Sequence, residues 1–443
     1  MRRMLQRAAL VVVSVSAGLG CAGDTDQSVT STVAPVTTGE PTPNGVAAAP
    51  AGGPSAPGNG GMPAPAAAEP TPLSEGATTP AMLAPPVPPV GAKDAPDAPA
   101  QQPAPTPPAT SPTPDTAPPV GPEPDPLNLS RCTGTNPIAC HFGGAPGNYL
   151  VTVLLGGEAA ATTRVLAEAR RSLLGPVATA AGETRRLSFG VNVRQPEGEP
   201  IQDVPAGTPG LDVYFEGSAG SAPALSGIGY APASEPLMIY IAGDSTVADQ
   251  TSVDYGGWGQ QLPQFFASPV VVANYADSGE SSGSFLNARP LFGTIEAALR
   301  ASDWVLIQFG HNDKTVTAAQ FHDNMTSLVT RVKAKGALPV LLSPVARAQF
   351  DGDAVARQHV NSTGADLPAI VAQVASEQTV PLLDLTARTS EWLAQLGPGG
   401  WQAFHALGTD VTHTNDAGAA VEAGFVRDLL IQADLKPLLQ HLR

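Results

Sequence analysis

The chain has 443 residues, of which 39 are Asp or Glu against 23 Lys or Arg, for a formal net charge of -16. That balance argues against nucleic acid as a partner, since a polyanion is held by clustered cations. No metal-ligand spacing, phosphate loop or dinucleotide fingerprint is present, so neither a metal nor an organic cofactor is expected.

In chain order, Arg2, Arg3 and Arg7 precede an apolar stretch at 8–15 and a run of small residues. The stretch is too short to span a bilayer and reads as an export signal covering residues 1–21. Gly18-Leu19-Gly20-Cys21 resembles the lipobox of bacterial lipoproteins, with Gly18 where a larger apolar residue is usual. The resemblance implies cleavage before Cys21 and lipid attachment to it. The chain would then be exported and held in the bacterial cell envelope, at the outer membrane or cell surface, with the membrane as a partner. An ordinary signal peptide with an incidental cysteine is the alternative. Residues 22–128 are rich in Pro, Ala, Gly and Thr, with Lys93 as the only base. Such a composition buries little area and favours extended, polyproline-like backbone, so a disordered linker is expected.

Over 129–235 the pattern is β-like, at 149–155, 163–174, 187–194 and 211–215, with Gly and Pro turns between. Strands at that spacing predict a small β-sandwich. Only 3 cysteines occur in the chain. Without a Cys-x-x-Cys spacing, Cys132 and Cys140 read as a small structural disulfide rather than a redox or metal site, and the neighbouring His141 as incidental. From 236 to 443 the texture changes. Apolar runs at 237–242, 270–274, 304–309, 338–342 and 380–385 alternate with helix-period segments such as 321–335, 355–376 and 417–430. That alternation predicts an α/β domain with a parallel sheet covered on both faces.

Four short motifs punctuate this second region: Gly243-Asp244-Ser245-Thr246, Ser278-Gly279-Glu280-Ser281, Gly310-His311-Asn312-Asp313 and Asp410-Val411-Thr412-His413. Each alone is an ordinary turn or cap. Their order matters more. Ser245 and Asn312 each follow an apolar run and His413 precedes a helical one, so they gather at one edge of a parallel sheet. A serine hydroxyl attacks only when a base takes its proton, and an imidazole with a pKa near ~6.5 does so at neutral pH. Asp410, three residues before His413, is within reach of one ring nitrogen and would leave the other for Ser245. A tetrahedral oxyanion needs donors, each worth roughly 3 kcal/mol.

With their flanks, the motifs resemble the SGNH (GDSL-type) hydrolase superfamily, and 242–249, 308–313 and 410–415 look like its rhamnogalacturonan acetylesterase branch. The resemblance implies a three-layer, flavodoxin-like fold with Ser245 as nucleophile, His413 as base and Asp410 as its orienting carboxylate. It also implies an oxyanion hole made by the amides of Ser245 and Gly279 and the side chain of Asn312. Residues 147–153, 164–171 and 189–194 similarly resemble the galactose-binding-like sandwich that precedes some rhamnogalacturonan acetylesterases. Whether such a module binds sugar or packs on its neighbour is open, with packing ahead because no cluster of exposed aromatics is evident. Trp258 either lines a sugar site or sits in the core. Glu280 and His311 are further candidates for substrate contact, although His311 and Asp313 also fit as loop structure, and His405 reads as a surface residue.

One departure bears on substrate. The second motif of pectin-directed relatives commonly carries two arginines, and here the stretch is Gly279-Glu280-Ser281-Ser282-Gly283-Ser284. Glu280 would repel a uronate. The expected activity is that of a serine esterase removing O-acetyl groups from plant cell-wall polysaccharide, with the acetylated polysaccharide as partner and a neutral or differently charged glycan left open. An acetylxylan esterase and a lipase- or thioesterase-like acylhydrolase are the alternatives. An inactive, glycan-binding surface lipoprotein is the alternative of another class.

Overall fold

Period-2 alternation in the first folded region and continuous apolar runs in the second produce two different sheets. The computed structural model describes residues 127–443 apart from 202–206 and 219. The leader, Cys21 and the expected linker up to residue 126 lie outside the described residues. Leu127 and Asn128, assigned to the linker, already belong to the fold, because the Asn128 amide donates to the Ile228 carbonyl at 3.2 Å.

The first region has eight strands: β1 (Cys132–Thr133), β2 (Ile138–Phe142), β3 (Gly147–Gly156), β4 (Ala161–Ala167), β5 (Arg171–Thr179), β6 (Thr184–Val193), β7 (Leu211–Gly217) and β8 (Leu225–Pro232). They form an antiparallel sheet in the order β1-β2-β7-β4-β5 and a second in the order β6-β3-β8. Val151, Val153, Val165, Phe189 and Phe215 fill the space between them. Cys132 and Cys140 face each other across β1 and β2 and are joined by a disulfide.

The expected single strand over 163–174 is in fact the hairpin of β4 and β5. It turns at 168–170, where Glu168 and Arg170 have positive φ, and the turn is held by bonds in both directions between Glu168 and Asp212. Of the strands not expected, β1 has only two residues and β8 is interrupted by Gly227 and Gly229, while the apolar run of β2 is broken by His141.

The alternation in β6 does not translate into one wet face: Gly190 and Asn192 are buried along with Phe189 and Val191. A Cβ at Gly190 would sit 2.4 Å from the Val270 carbonyl oxygen and 2.5 Å from Val271 Cγ2. The outer face of the smaller sheet therefore lies directly on the second region, with glycine as the residue that permits the approach.

That second region is an α/β domain. β9 (Leu237–Ala242), β10 (Val270–Asn274), β11 (Trp304–Gln308), β12 (Leu338–Leu342) and, beyond the two-residue hairpin strands β13 (Phe350–Asp351) and β14 (Ala354–Val355), β15 (Leu382–Leu383) are its strands. The parallel sheet has the order β10-β9-β11-β12-β15. The α-helices are α1 (Trp258–Gln261), α2 (Ser282–Asn287), α3 (Thr294–Ala298), α4 (Ala318–Ala334), α5 (Leu367–Gln378), α6 (Leu385–Leu396), α7 (Asp416–Gln432) and α8 (Lys436–Leu439). One apolar core joins Val305 and Ile307 to α4 and α5 through Phe321, Leu328 and Val371. The other joins Ile239, Ile241 and Leu306 to α1 and α7 through Trp258, Val426 and Leu430. Two cores separated by one sheet make three layers, as expected of parallel strands buried on both faces.

The helix expected over 355–376 is shorter than its pattern. It begins only at Leu367, where the Asp366 side chain caps it, and the residues before it form β14 and a loop with positive φ at His359. The strand expected over 380–385 shrinks to β15, because Asp384 accepts from the Ala387 amide and starts α6, which was not expected.

Gly190→Val should push the two regions apart. Thermal unfolding is expected to show destabilisation of about 1–3 kcal/mol, the range for overpacking a buried contact, with no comparable loss from valine at the open position Gly182 beyond its backbone cost.

Candidate active site

The last residues of β9 are fully buried, and the chain leaves the sheet through a turn that Asp244 pins. Its carbonyl accepts from the amides of Val247 and Ala248, while Oδ1 accepts from the Thr246 amide and hydroxyl at 3.0 and 2.7 Å. Burial alone would raise the Asp244 carboxyl, but the His311 ring and the Thr246 donors hold it below its ordinary value. The turn presents Ser245.

Ser245 Oγ lies 2.8 Å from His413 Nε2. His413 Nδ1 lies 2.8 Å from Asp410 Oδ2, whose other oxygen accepts from the amides of Thr412 and His413 at 2.7 and 3.0 Å. Burial works to raise Asp410, and the His413 bond with the two amides overcomes it, leaving the carboxyl below its ordinary value. The Nδ1 proton is thus held toward Asp410, and Nε2 is directed at the serine as an acceptor. Tyr255 meets the edge of the His413 ring with centroids 5.8 Å apart.

Gln250 Nε2 donates to the Ser245 carbonyl at 3.0 Å and to Ser278 Oγ at 3.2 Å, which sets the Gly279 loop beside the serine. Gly279 has φ of 85°, the left-handed region, with open space where a Cβ would be. Among the described residues no group accepts from the Ser245 or Gly279 amides. Asn312, on the loop after β11, donates from Nδ2 to the Glu280 carbonyl at 3.1 Å. That bond ties it to the Gly279 loop and leaves its second amide hydrogen for another acceptor.

Other residues expected at the site lie elsewhere. Trp258 is fully buried and donates to Gln308 Oε1 at 2.8 Å, so it belongs to the core. His311 is buried against Asp244, 3.3 Å away, and the His359 ring, which removes it from substrate contact. Asp313, pushed up to about 6 by burial, accepts from the Ser282 amide and hydroxyl and anchors α2. His405 is not a surface residue. It is buried, and its Nδ1 lies 2.9 Å from the Asp410 carbonyl. Glu280 stays at the site, half-buried, with Oε2 lacking a hydrogen-bond partner among the described residues. Among the described residues no group of three or more His, Cys, Asp or Glu is placed to hold a metal ion.

The sandwich supplies residues that sequence reasoning missed. Glu199, on the segment after β6, accepts from the Ser278 amide at 2.5 Å, and the Ile201 amide donates to Asp277 Oδ2 at 2.6 Å. Burial pushes Asp277 up to about 7, with Glu199 and Glu280 adding to the rise and the Ile201 amide opposing it. No local motif signals this contact, since it joins segments more than 70 residues apart.

Residues 241–421 match the GDSL-like Lipase/Acylhydrolase family. The chain is 34% identical to Rhamnogalacturonan acetylesterase RhgT of Bacillus subtilis (strain 168) over 170 residues, 37% of this chain and 71% of that relative. It is 28% identical to Probable rhamnogalacturonan acetylesterase YesY of the same organism over 193 residues, 41% of this chain and 86% of the relative. Among solved structures, the YxiM protein of Bacillus subtilis aligns over 68% of this chain and 81% of its own, with 26% identity and a TM-score of 0.42.

Asp410→Asn retains an oxygen for the two loop amides but no longer fixes the His413 tautomer. Its kcat on 4-nitrophenyl acetate should fall by roughly 10³–10⁴ with little change in KM. A loss below tenfold would mean that the imidazole is oriented by something else.

Proposed function

The chain belongs to the GDSL-like lipase/acylhydrolase family and is a carboxylic ester hydrolase, and from that premise we propose that it removes O-acetyl groups from a polysaccharide of the rhamnogalacturonan type. The 2.8 Å contact between Ser245 Oγ and His413 Nε2 is the observation that carries the mechanism. Ser245 Oγ attacks the acetyl carbonyl while its proton passes to Nε2. The carbonyl electrons become an oxyanion facing the amides of Ser245 and Gly279 and the Asn312 side chain. Collapse expels the sugar oxygen, which takes the proton from His413 and leaves acetyl-Ser245. Water then repeats the sequence, His413 accepting its proton and returning it to Ser245 as acetate departs.

The relatives' names support the acetyl and polysaccharide parts of this reading. The sandwich is read as a packing partner of the catalytic domain, in keeping with the buried outer face of β6, rather than as an independent sugar-binding module. Among the described residues no helix is long and apolar enough to cross a membrane. The same reading attaches the chain to the envelope through acylation of Cys21.

Ser245→Ala should fold normally and release no acetate from acetylated rhamnogalacturonan, and a serine-directed phosphonate should label the wild type at that residue alone. Turnover above about 1% of wild type would put the nucleophile elsewhere. For the anchor, Cys21→Ser should move the protein from the membrane to the soluble fraction; a variant that stays with membranes would exclude lipidation as the attachment.

A further inference from the structure

Beside the catalytic loop, between the loops that follow β11 and β12, lies a cavity of about 360 Å³ lined by Gly310, Lys314, Arg347, Gln349, Arg357 and His359, among others. Its charge is unusual for a chain with so large an acidic excess. Arg357 is compensated by Asp366 at 2.8 Å. Arg347 and Lys314 are not: among the described residues neither has a carboxylate within ion-pairing distance. Arg347 is half-buried, and burial pushes its guanidinium below its ordinary value, with Asp244 and Asp410 pulling the other way from a distance. A cation withdrawn from water without a contacting anion is costly unless something else supplies the anion.

The guanidinium is fixed rather than mobile. Nη1 donates to Thr412 Oγ1 at 2.7 Å and Nη2 to the His311 carbonyl at 3.2 Å. Those acceptors adjoin His413 and Asn312 in sequence, so the bonds hold Arg347 against both halves of the catalytic apparatus. They use two of its five N–H donors and leave three, in the planar geometry that suits a carboxylate. Gln349 and the exposed Lys314 add donors at the mouth. Sheet order separates this cluster from Glu280. The loop after β10 carries Glu280 and the loop after β12 carries Arg347, on strands three positions apart in the sheet, with Asn312, which donates to the Glu280 carbonyl, and His311, whose carbonyl accepts from Arg347, between them.

We propose that this pocket receives the carboxylate of a uronic acid residue in the polysaccharide, seated next to the sugar whose acetyl group faces Ser245. The inference rests on the reading of the chain as a polysaccharide deacetylase and assigns its selectivity to Arg347 and Lys314. The absence of arginine from the second motif is then no argument against an acidic glycan, because the cation is supplied by a different loop. Glu280 faces a part of the chain that carries no carboxylate.

The test separates binding from turnover. In the full chain carrying Ser245→Ala, digalacturonate and xylobiose are titrated by calorimetry, with inorganic phosphate as a second anion. Digalacturonate should bind at least about fivefold more tightly than xylobiose at low salt, lose that margin as salt is raised, and lose it in Arg347→Gln and in Lys314→Ala. Arg347→Lys should recover part of it. With Ser245 restored, the ratio of kcat/KM on acetylated rhamnogalacturonan to that on acetylated xylan should fall by a similar factor in the same variants. Equal affinity for the two disaccharides, affinity that ignores both substitutions, or phosphate binding as tight as digalacturonate would each overturn the proposal. Lys314 is exposed, so its variant reports even if Arg347→Gln fails to fold. A wild type that deacetylates no polysaccharide yet binds digalacturonate through Arg347 would sink the proposed function and leave the pocket standing.

Discussion

Asp249, four residues beyond Ser245, is a carboxylate with no exposure to water, and its cationic partners come from the other half of the fold. Its Oδ2 lies 2.9 Å from Arg171 Nε and 3.1 Å from Arg194 Nη2, both on the sandwich. Its Oδ1 accepts from Asn274 Nδ2 at 2.8 Å. A charge so placed costs several kcal/mol unless paired, and breaking such a pair by deleting one partner typically costs about 3–5 kcal/mol. Asn274 also donates to the Val247 carbonyl, so one network spans the serine turn, the end of β10 and the sandwich. The Ser245 turn is held in place by a domain that contributes none of Ser245, Asp410 and His413.

The same dependence recurs on the far side of the serine turn. Arg170, held in a left-handed conformation at the β4–β5 turn, donates to the carbonyls of Gln250, Ser252 and Tyr255 and pairs with Asp416 at the start of α7. Tyr255 meets His413, and Asp416 lies three residues after it. The sandwich therefore braces the loops on both the serine and the histidine sides. The close approach at Gly190 makes that bracing possible, by letting backbone lie on backbone.

Much of the α/β domain was legible from sequence because its strands are buried on both faces. A run such as 237–242 has few other ways to satisfy itself, and it appears as β9 with its predicted limits. Failures came where a local pattern competed with a specific side chain. Asp366 and Asp384 cap helices inside stretches whose hydrophobicity looked continuous. Glu168 and Arg170 turn a stretch that read as one strand. Tripeptide-scale motifs could mark Ser245, Asn312 and His413 but could not say whether Trp258 and His311 point inward. Those two are buried by helices and loops distant in sequence.

The sequence by itself determined the chemistry available at the sheet edge. Serine, histidine and aspartate at those positions follow apolar runs or precede a helix, and a parallel sheet must deliver such loops to one edge. Only the tertiary structure decided what surrounds them. Glu199 at the Gly279 loop, Arg171 and Arg194 on Asp249, and Arg347 on the Thr412-His413 loop all act across separations that no periodicity records. The reason is physical. Backbone preferences and burial patterns are local and can be read residue by residue, whereas the environment of a charge depends on which distant groups exclude water around it.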